Sequence, residues 1–514
     1  MAFSEHDGRG SVVEVEEYRR RAEGLLRELN EEFYRNGAGL KASLDTSPIY
    51  KRNGDLFDRE QVLSLLEAAR AAMRTPAGEA ATDVARCAAY LARFAVDGYL
   101  EMGTKEATDD IVSAETQAVV ELEERKIPFR MSQVVLANEP NERARAALEA
   151  ARQKATTGLN PRREERMEML HSLAGDLGYA SYKSFSADTG SIDLDGLAGM
   201  MEEFLDETED AYTQGMEKAA GAILGMRLRD VSRHDLGFLF RGARFDDMFR
   251  QDRVITTLES TVAGMGLGHE DYPNIHVDAE VRENKSPRAF SAPLDVPGRI
   301  MLVIMPHGGQ DDYHSILHEA GHAWHYGSVR ADQPFEYRWL GDNSVTEAYA
   351  FLFEYLTMSE RWLEEHTSGP HIEEYRRFAA LHKLYLLRRY AAKLLYELRL
   401  HGGELLSAMP REYASLLSEA LKVRYPGSDY LADVDDGFYV ARYLRAWIFE
   451  AHLRAFLVKR FGERWYAYPE TGAALRELFS EGQRLPVEEL AARLGTGALD
   501  PAPLVEELLD NLGA

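Results

Sequence analysis

Apolar residues recur at three- and four-residue intervals through most of the chain, which predicts a protein built chiefly of amphipathic helices. The pattern covers Glu14 to Phe33, Arg59 to Met73, Ala107 to Lys126, Glu142 to Thr156 and Asp195 to Glu217. It resumes from Ile372 to His401 and from Gly437 to Arg460. Between Asn274 and Gly309 the rhythm changes. Ile275 to Val281, Arg288 to Leu294 and Arg299 to Met305 are short β-branched or alternating runs set off by Pro287, Pro297-Gly298 and Gly308-Gly309. That is the pattern of a small sheet inside a mainly α protein. The polar, turn-rich segment Ser186-Ala187-Asp188-Thr189-Gly190-Ser191 predicts a boundary, with a helical N-terminal lobe over 1–190 and a second region over 191–514. A length of 514 residues exceeds what one core usually serves and fits two lobes.

Composition narrows the class. The chain is 45% apolar and 28% charged, as ordinary globular proteins are, and its net charge is −26. Such a surface repels phosphate backbones and anionic lipids, so neither nucleic acid nor a membrane surface is an expected partner. Cys87 is the single cysteine, which excludes an intramolecular disulfide and a thiolate metal cluster. The first residues show no basic stretch followed by an apolar run, and the longest aliphatic run, Ile300 to Met305, falls far short of the roughly 20 residues that span a bilayer. A cytoplasmic location is expected.

The chemistry concentrates just after the sheet. His318-Glu319-Ala320-Gly321-His322 is an H-E-x-x-H segment with apolar Ile316, Leu317, Ala320 and Ala323 around it. Asp311 or Asp312 is placed to cap the helix start and Gly327 to end it. One turn separates the two histidines, so their imidazoles can bind one tetrahedral zinc, with Glu319 beside them as general base toward a zinc-bound water. With 15 histidines in 514 residues, chance supplies such a segment in roughly 0.04 chains, so coincidence is a poor account. A hydrolytic zinc needs a third protein ligand and an open fourth position. Glu336 stands in what reads as a loop. Glu347, 25 residues past His322, opens a helix and is the expected ligand, although Ser344-x-x-Glu347 also fits a capping box. Glu354 and His325 lie seven residues beyond Glu347 and His318, positions from which either can hold a ligand by a hydrogen bond. For His325, packing beside Trp324 is the equal alternative.

His318-Glu319-Ala320-Gly321-His322-Ala323-Trp324-His325, with Glu347 and Glu354 following, resembles the thimet oligopeptidase and oligoendopeptidase F zinc metallopeptidases. The likeness takes in Leu177-Gly178-Tyr179-Ala180-Ser181-Tyr182, Lys285-Ser286-Pro287-Arg288-Ala289-Phe290 and Gly437-Phe438-Tyr439-Val440-Ala441-Arg442-Tyr443-Leu444, and so covers about residues 177–456. The resemblance implies a mainly α, two-lobed zincin metallopeptidase with a deep substrate channel, acting on short peptides. It implies zinc on His318, His322 and Glu347, Glu319 as general base, and Tyr439 and Tyr443 facing the substrate carbonyl. The two tyrosines are one turn apart and can converge on a developing oxyanion, but Trp447 continues their stripe, and such stripes are usually core. The loop Leu431-Ala432-Asp433-Val434-Asp435-Asp436 departs from the family, which often has a histidine there.

The expected activity is zinc-assisted hydrolysis of internal bonds in short peptides, with strand Arg299 to Met305 pairing with the substrate. A carboxypeptidase or dipeptidyl carboxypeptidase is the alternative; it requires a cation for the substrate C-terminus, for which Arg288, Arg442 and Arg445 are available. A zinc-containing protein that binds peptides without cutting them is the other. His307 and His314, near the metal helix, are expected in turn or surface roles.

Overall fold

The computed structural model describes residues 14–74, 78–122 and 125–513. It is mainly helical, with a three-stranded sheet beside the H-E-x-x-H segment, as the periodicity predicts. Helix Val15–Gly37 follows the first periodic run, and Arg59–Met73 matches the second residue for residue. Three runs turn out otherwise. The stretch from Ala107 is the end of a longer helix, Glu79–Gln117, after which β-branched Val119, Val120 and Ile127 form the hairpin β1 (Val119–Leu122) and β2 (Arg125–Pro128). Helix Glu142–Asp176 does not stop at Thr156 but runs through Pro161, because Leu159, Arg163, Met167 and Leu170 keep burying the same face. Asp195 to Glu217 is broken at the buried Thr208 into Leu194–Glu207 and Glu209–Ala219.

The turn-rich segment Ser186–Ser191 is no open linker. It is the second half of helix Tyr182–Gly190, closed by Ser191 in the left-handed region at φ 51°. A capping box of Ser181 and Ser184 starts that helix.

In the sheet, β5 (Arg299–Val303) is central, with β3 (Ile275–Asp278) parallel on one side and β4 (Phe290–Asp295) antiparallel on the other. Both edges of β5 are therefore taken, which corrects the expectation that this strand pairs with substrate. The outer strands are β3 and β4. Side chains alternate across β5: Met301 and Val303 pack with Tyr34 of helix Val15–Gly37 and with Ala38 just past its end, while Ile300 and Leu302 join the main core. That core continues into the H-E-x-x-H helix, Gln310–Ser328, through Ile316, Leu317, Ala320, Ala323 and Trp324.

The start of this helix is built differently from the sequence expectation. Gly308 and Gly309, at φ 87° and 91°, make the sharp entry, and Gly309 is the N-cap. Asp312 turns its carboxylate back to accept from the backbone N–H groups of His307 and Gly308, and so ties the loop from β5 to the helix. Gly327 lies inside the last turn, where a β-carbon would fall 2.9 Å from the Ile275 side chain; it is there for close packing rather than termination.

Candidate metal centre

Three helices build the site: Gln310–Ser328 with the two histidines, Asn343–Glu354 with Glu347, and Tyr439–Phe461 with the tyrosines. The glutamate helix is capped by Asp342, whose carboxylate accepts from the Ser344 N–H. The capping-box alternative for Glu347 therefore falls away. The same Asp342 is held by Arg445 (2.8 Å), and Arg445 also pairs with Glu488.

With capping done elsewhere, Glu347 points at the imidazoles. Its Oε2 lies 3.5 Å from His318 Nε2 and 3.6 Å from His322 Nε2. One ligand atom from each of the three residues falls within 4.8 Å of the others. The far side of each imidazole is fixed. Glu354, an ionised carboxylate, accepts from His318 Nδ1 at 2.8 Å, and the Thr346 hydroxyl sits 2.8 Å from His322 Nδ1. With Nδ1 engaged on both rings, both Nε2 atoms face Glu347. Glu347 Oε2 is itself buried with no hydrogen-bond partner among the described residues, a costly state for a carboxylate oxygen unless a cation completes it. Two imidazoles and a carboxylate, pre-oriented around one point, can hold one divalent ion.

The proton balance of the cluster agrees. Burial works against a charged His318, but its contacts with Glu347 and Glu354 win and raise its pKa to about 10. Burial lowers His322 to about 4. Burial also opposes a charged Glu347, yet the two histidines hold it below the usual carboxylate range. The carboxylate thus attracts positive charge, whether a proton or a metal.

Glu319 sits next to the cluster with its Oε2 accepting from the backbone N–H of Ser291 on β4, at 2.7 Å. Burial raises its pKa to about 7, which suits proton transfer near neutrality. Tyr439 donates its hydroxyl to Glu347 Oε1 at 2.9 Å, and the ring of Tyr443 lies 5.0 Å from that of Tyr439. Burial pushes both phenols well above their ordinary pKa, so both stay protonated donors. Trp447 continues the stripe as core and stacks on Phe351, which also meets His318 edge-on. The stripe therefore runs from Tyr439, bonded to Glu347, into the core at Trp447.

Other candidates fall elsewhere. Glu336 is fully buried in a short helix, Phe335–Trp339, and pairs with Arg19. His325 is fully buried among Tyr326, Tyr349 and Phe479, so it packs rather than orients a ligand. His314 bonds Tyr375 and Thr357. The aspartates of the loop ahead of the tyrosine helix are held by cations: Asp433 by Arg389, Asp435 by Lys393 and Asp436 by Arg166. Gly437 and Phe438 follow, both in left-handed conformation, and the Gly437 N–H donates to the Tyr182 hydroxyl. The loop fixes where Tyr439 begins.

Sequence reasoning missed Ser291, Thr346 and Tyr326. Ser291 acts through its backbone, so its side chain carries no signal. Thr346 is adjacent to Glu347, but nothing in the sequence pairs it with His322. Tyr326, one turn past His322, stacks near its ring.

Comparison with family models and with curated proteins returns no match. Among solved structures, the chain is similar to one titled "Pz peptidase A with inhibitor 2", with a TM-score of 0.67 over 99% of this chain and 98% of that one, at 15% identity. At that identity the likeness speaks for the fold: from end to end, this chain is folded like that peptidase.

Proposed function

We propose that the chain is a zinc-dependent oligopeptidase that hydrolyses internal bonds of short peptides. The observation that carries the reading is the convergence of His318, His322 and the unpartnered Glu347 Oε2 beside a glutamate base. A zinc ion held by these three residues supplies Lewis acidity and acidifies water. The chain supplies the rest. Ser291 fixes one oxygen of Glu319, leaving Oε1 to take the proton of the attacking water and deliver it to the leaving amine. Tyr443, as a neutral phenol, donates to the oxyanion, and Tyr439 joins it by turning its hydroxyl from Glu347 Oε1; losing one such donor costs on the order of a hundredfold in rate. The substrate lies extended along the outer strand β4, where backbone bonds align it without selecting side chains. The peptidase-like fold supports the reading, and among the described residues no helix is long and apolar enough to cross a membrane.

The test is cleavage of a quenched-fluorescent peptide mixture, read by mass spectrometry, with zinc content measured in parallel. Wild type cuts, and Glu319→Gln binds zinc but does not. A zinc-loaded wild type that leaves every peptide intact would refute hydrolysis and favour a peptide-binding role.

A further inference from the structure

Of the three arginines that the sequence offers for a substrate carboxylate, two are accounted for. Arg445 is buried in its ion pairs with Asp342 and Glu488, and Arg288 is exposed on the segment before β4. Arg442 is different. It is only 5% exposed, yet its Nη1 has no hydrogen-bond partner among the described residues. An unpaired buried guanidinium is expensive to keep.

Arg442 opens onto a cavity of about 510 Å³ whose wall includes Tyr439. The other cations there have acidic partners: Lys105 is 2.8 Å from Asp109, Arg166 pairs with Asp436, and Arg93 is 3.6 Å from Asp97. The remaining acid, Glu101, accepts from the Tyr50 hydroxyl. One deep cation is left over. Its Nη2 lies near Gly190, the last residue of helix Tyr182–Gly190. The cavity adjoins the metal centre through Tyr439, which lines it and also donates to Glu347. Arg442 is three residues along the same helix and shares the cavity wall with that tyrosine.

We infer that Arg442 binds a carboxylate of the peptide substrate, so that the chain selects peptides bearing a carboxylate, the C-terminal group or an acidic side chain, a short distance from the cut bond. This deepens the oligopeptidase reading and rests on it. A planar guanidinium can take a carboxylate by two parallel hydrogen bonds, which would complete Nη1 and neutralise the buried charge.

The test compares three forms of one quenched-fluorescent peptide: free acid, C-terminal amide, and amide with glutamate as last residue. Cleavage is measured with zinc-loaded wild type, and equilibrium binding of the same peptides with zinc-loaded Glu319→Gln. The free acid is expected to exceed the amide by on the order of tenfold to a hundredfold in both readouts. Recovery by the glutamate-bearing amide assigns the site to a side chain, and its absence to the terminus. In Arg442→Gln the preference disappears; in Arg442→Lys, which keeps a charge without the fork, part of it survives. Should wild type treat all three peptides alike in binding and cleavage, the carboxylate site is wrong while hydrolysis stands. Preferential binding of the free acid with no cleavage of any peptide would leave the carboxylate site standing and refute hydrolysis.

Discussion

Gly321 lies so close to Ala350 that a β-carbon on it would fall 2.5 Å from the Ala350 Cα and 2.5 Å from the Tyr349 carbonyl oxygen. This contact, one residue before His322, sets how near the glutamate helix can come. It is the reason Glu347 reaches both Nε2 atoms. Gly321→Ala gains up to about 1 kcal/mol of helix propensity, but the clash is with backbone and cannot be relieved by a rotamer change. Overpacking of this kind costs about 1 to 3 kcal/mol or more, so the helices separate. The expected result is a lower melting temperature together with zinc affinity reduced at least about tenfold. Unchanged zinc affinity in a folded Gly321→Ala would show that the approach of the two helices does not position Glu347.

The partners of the imidazole Nδ1 atoms give a second expectation. Thr346→Val keeps the shape and removes the hydroxyl 2.8 Å from His322, while Glu354→Ala removes the carboxylate 2.8 Å from His318. Each should weaken zinc binding by about 10- to 100-fold, as such outer partners do elsewhere. Glu354→Gln retains an acceptor for Nδ1–H and should lose less than Glu354→Ala. Competition with a chromogenic chelator measures all three. Equal losses for the Gln and Ala variants would mean that the contact with His318 is packing alone.

How much of this was legible beforehand differs from residue to residue. His318, Glu319 and His322 are readable because one helical turn puts them together, and Glu347 because a zinc hydrolase must find a third ligand nearby. The strands are readable as strands, but not their order: which strands of a three-stranded sheet are outermost is set by pairing, and β5 is central, with β4 the outer strand that meets Glu319. Ser186–Ser191 has turn composition, yet tertiary packing makes it helix, with Ser186 buried. The three arginines are the sharpest case. Arg288, Arg442 and Arg445 look equivalent in a sequence; only the positions of Asp342 and Glu488 reveal that Arg445 is spoken for and Arg442 is not.

Arg445 makes a third prediction, about stability. Burial resists ionisation of Asp342, but Arg445 overrides it and lowers the carboxyl to about 2. Arg445→Met strands a buried charge at the start of the glutamate helix and should cost about 3 to 5 kcal/mol at neutral pH. The sign of the pH dependence follows. A depressed carboxyl contributes stability that is complete above its ordinary pKa of 3.8 and is lost as pH falls toward about 2. The gap between wild type and Arg445→Met therefore narrows on acidification below about pH 4. Urea denaturation across that range measures it; a gap that stayed constant would show that the arginine stabilises by packing its stem instead.

Glu397 should produce the opposite dependence. It is fully buried beneath the acidic loop, with Oε1 accepting from the Asp435 N–H at 3.2 Å. Lys393 is 3.7 Å away, but Asp435 also draws on that cation and Asp433 lies close enough to repel a second carboxylate. Burial therefore prevails and raises Glu397 to about 8. Here the stability contribution is complete below the ordinary glutamate pKa of 4.5 and is lost as pH rises through about 8, since only the unfolded chain ionises easily in between. Glu397→Gln keeps an acceptor for the Asp435 N–H and has nothing to ionise. Across about pH 5 to 9, the wild type should lose stability relative to this variant by on the order of a few kcal/mol, levelling off above about pH 8. Melting temperatures of the two proteins over that range decide the matter. Parallel curves would mean that Glu397 is already ionised at pH 5 and shares Lys393 as a charged partner.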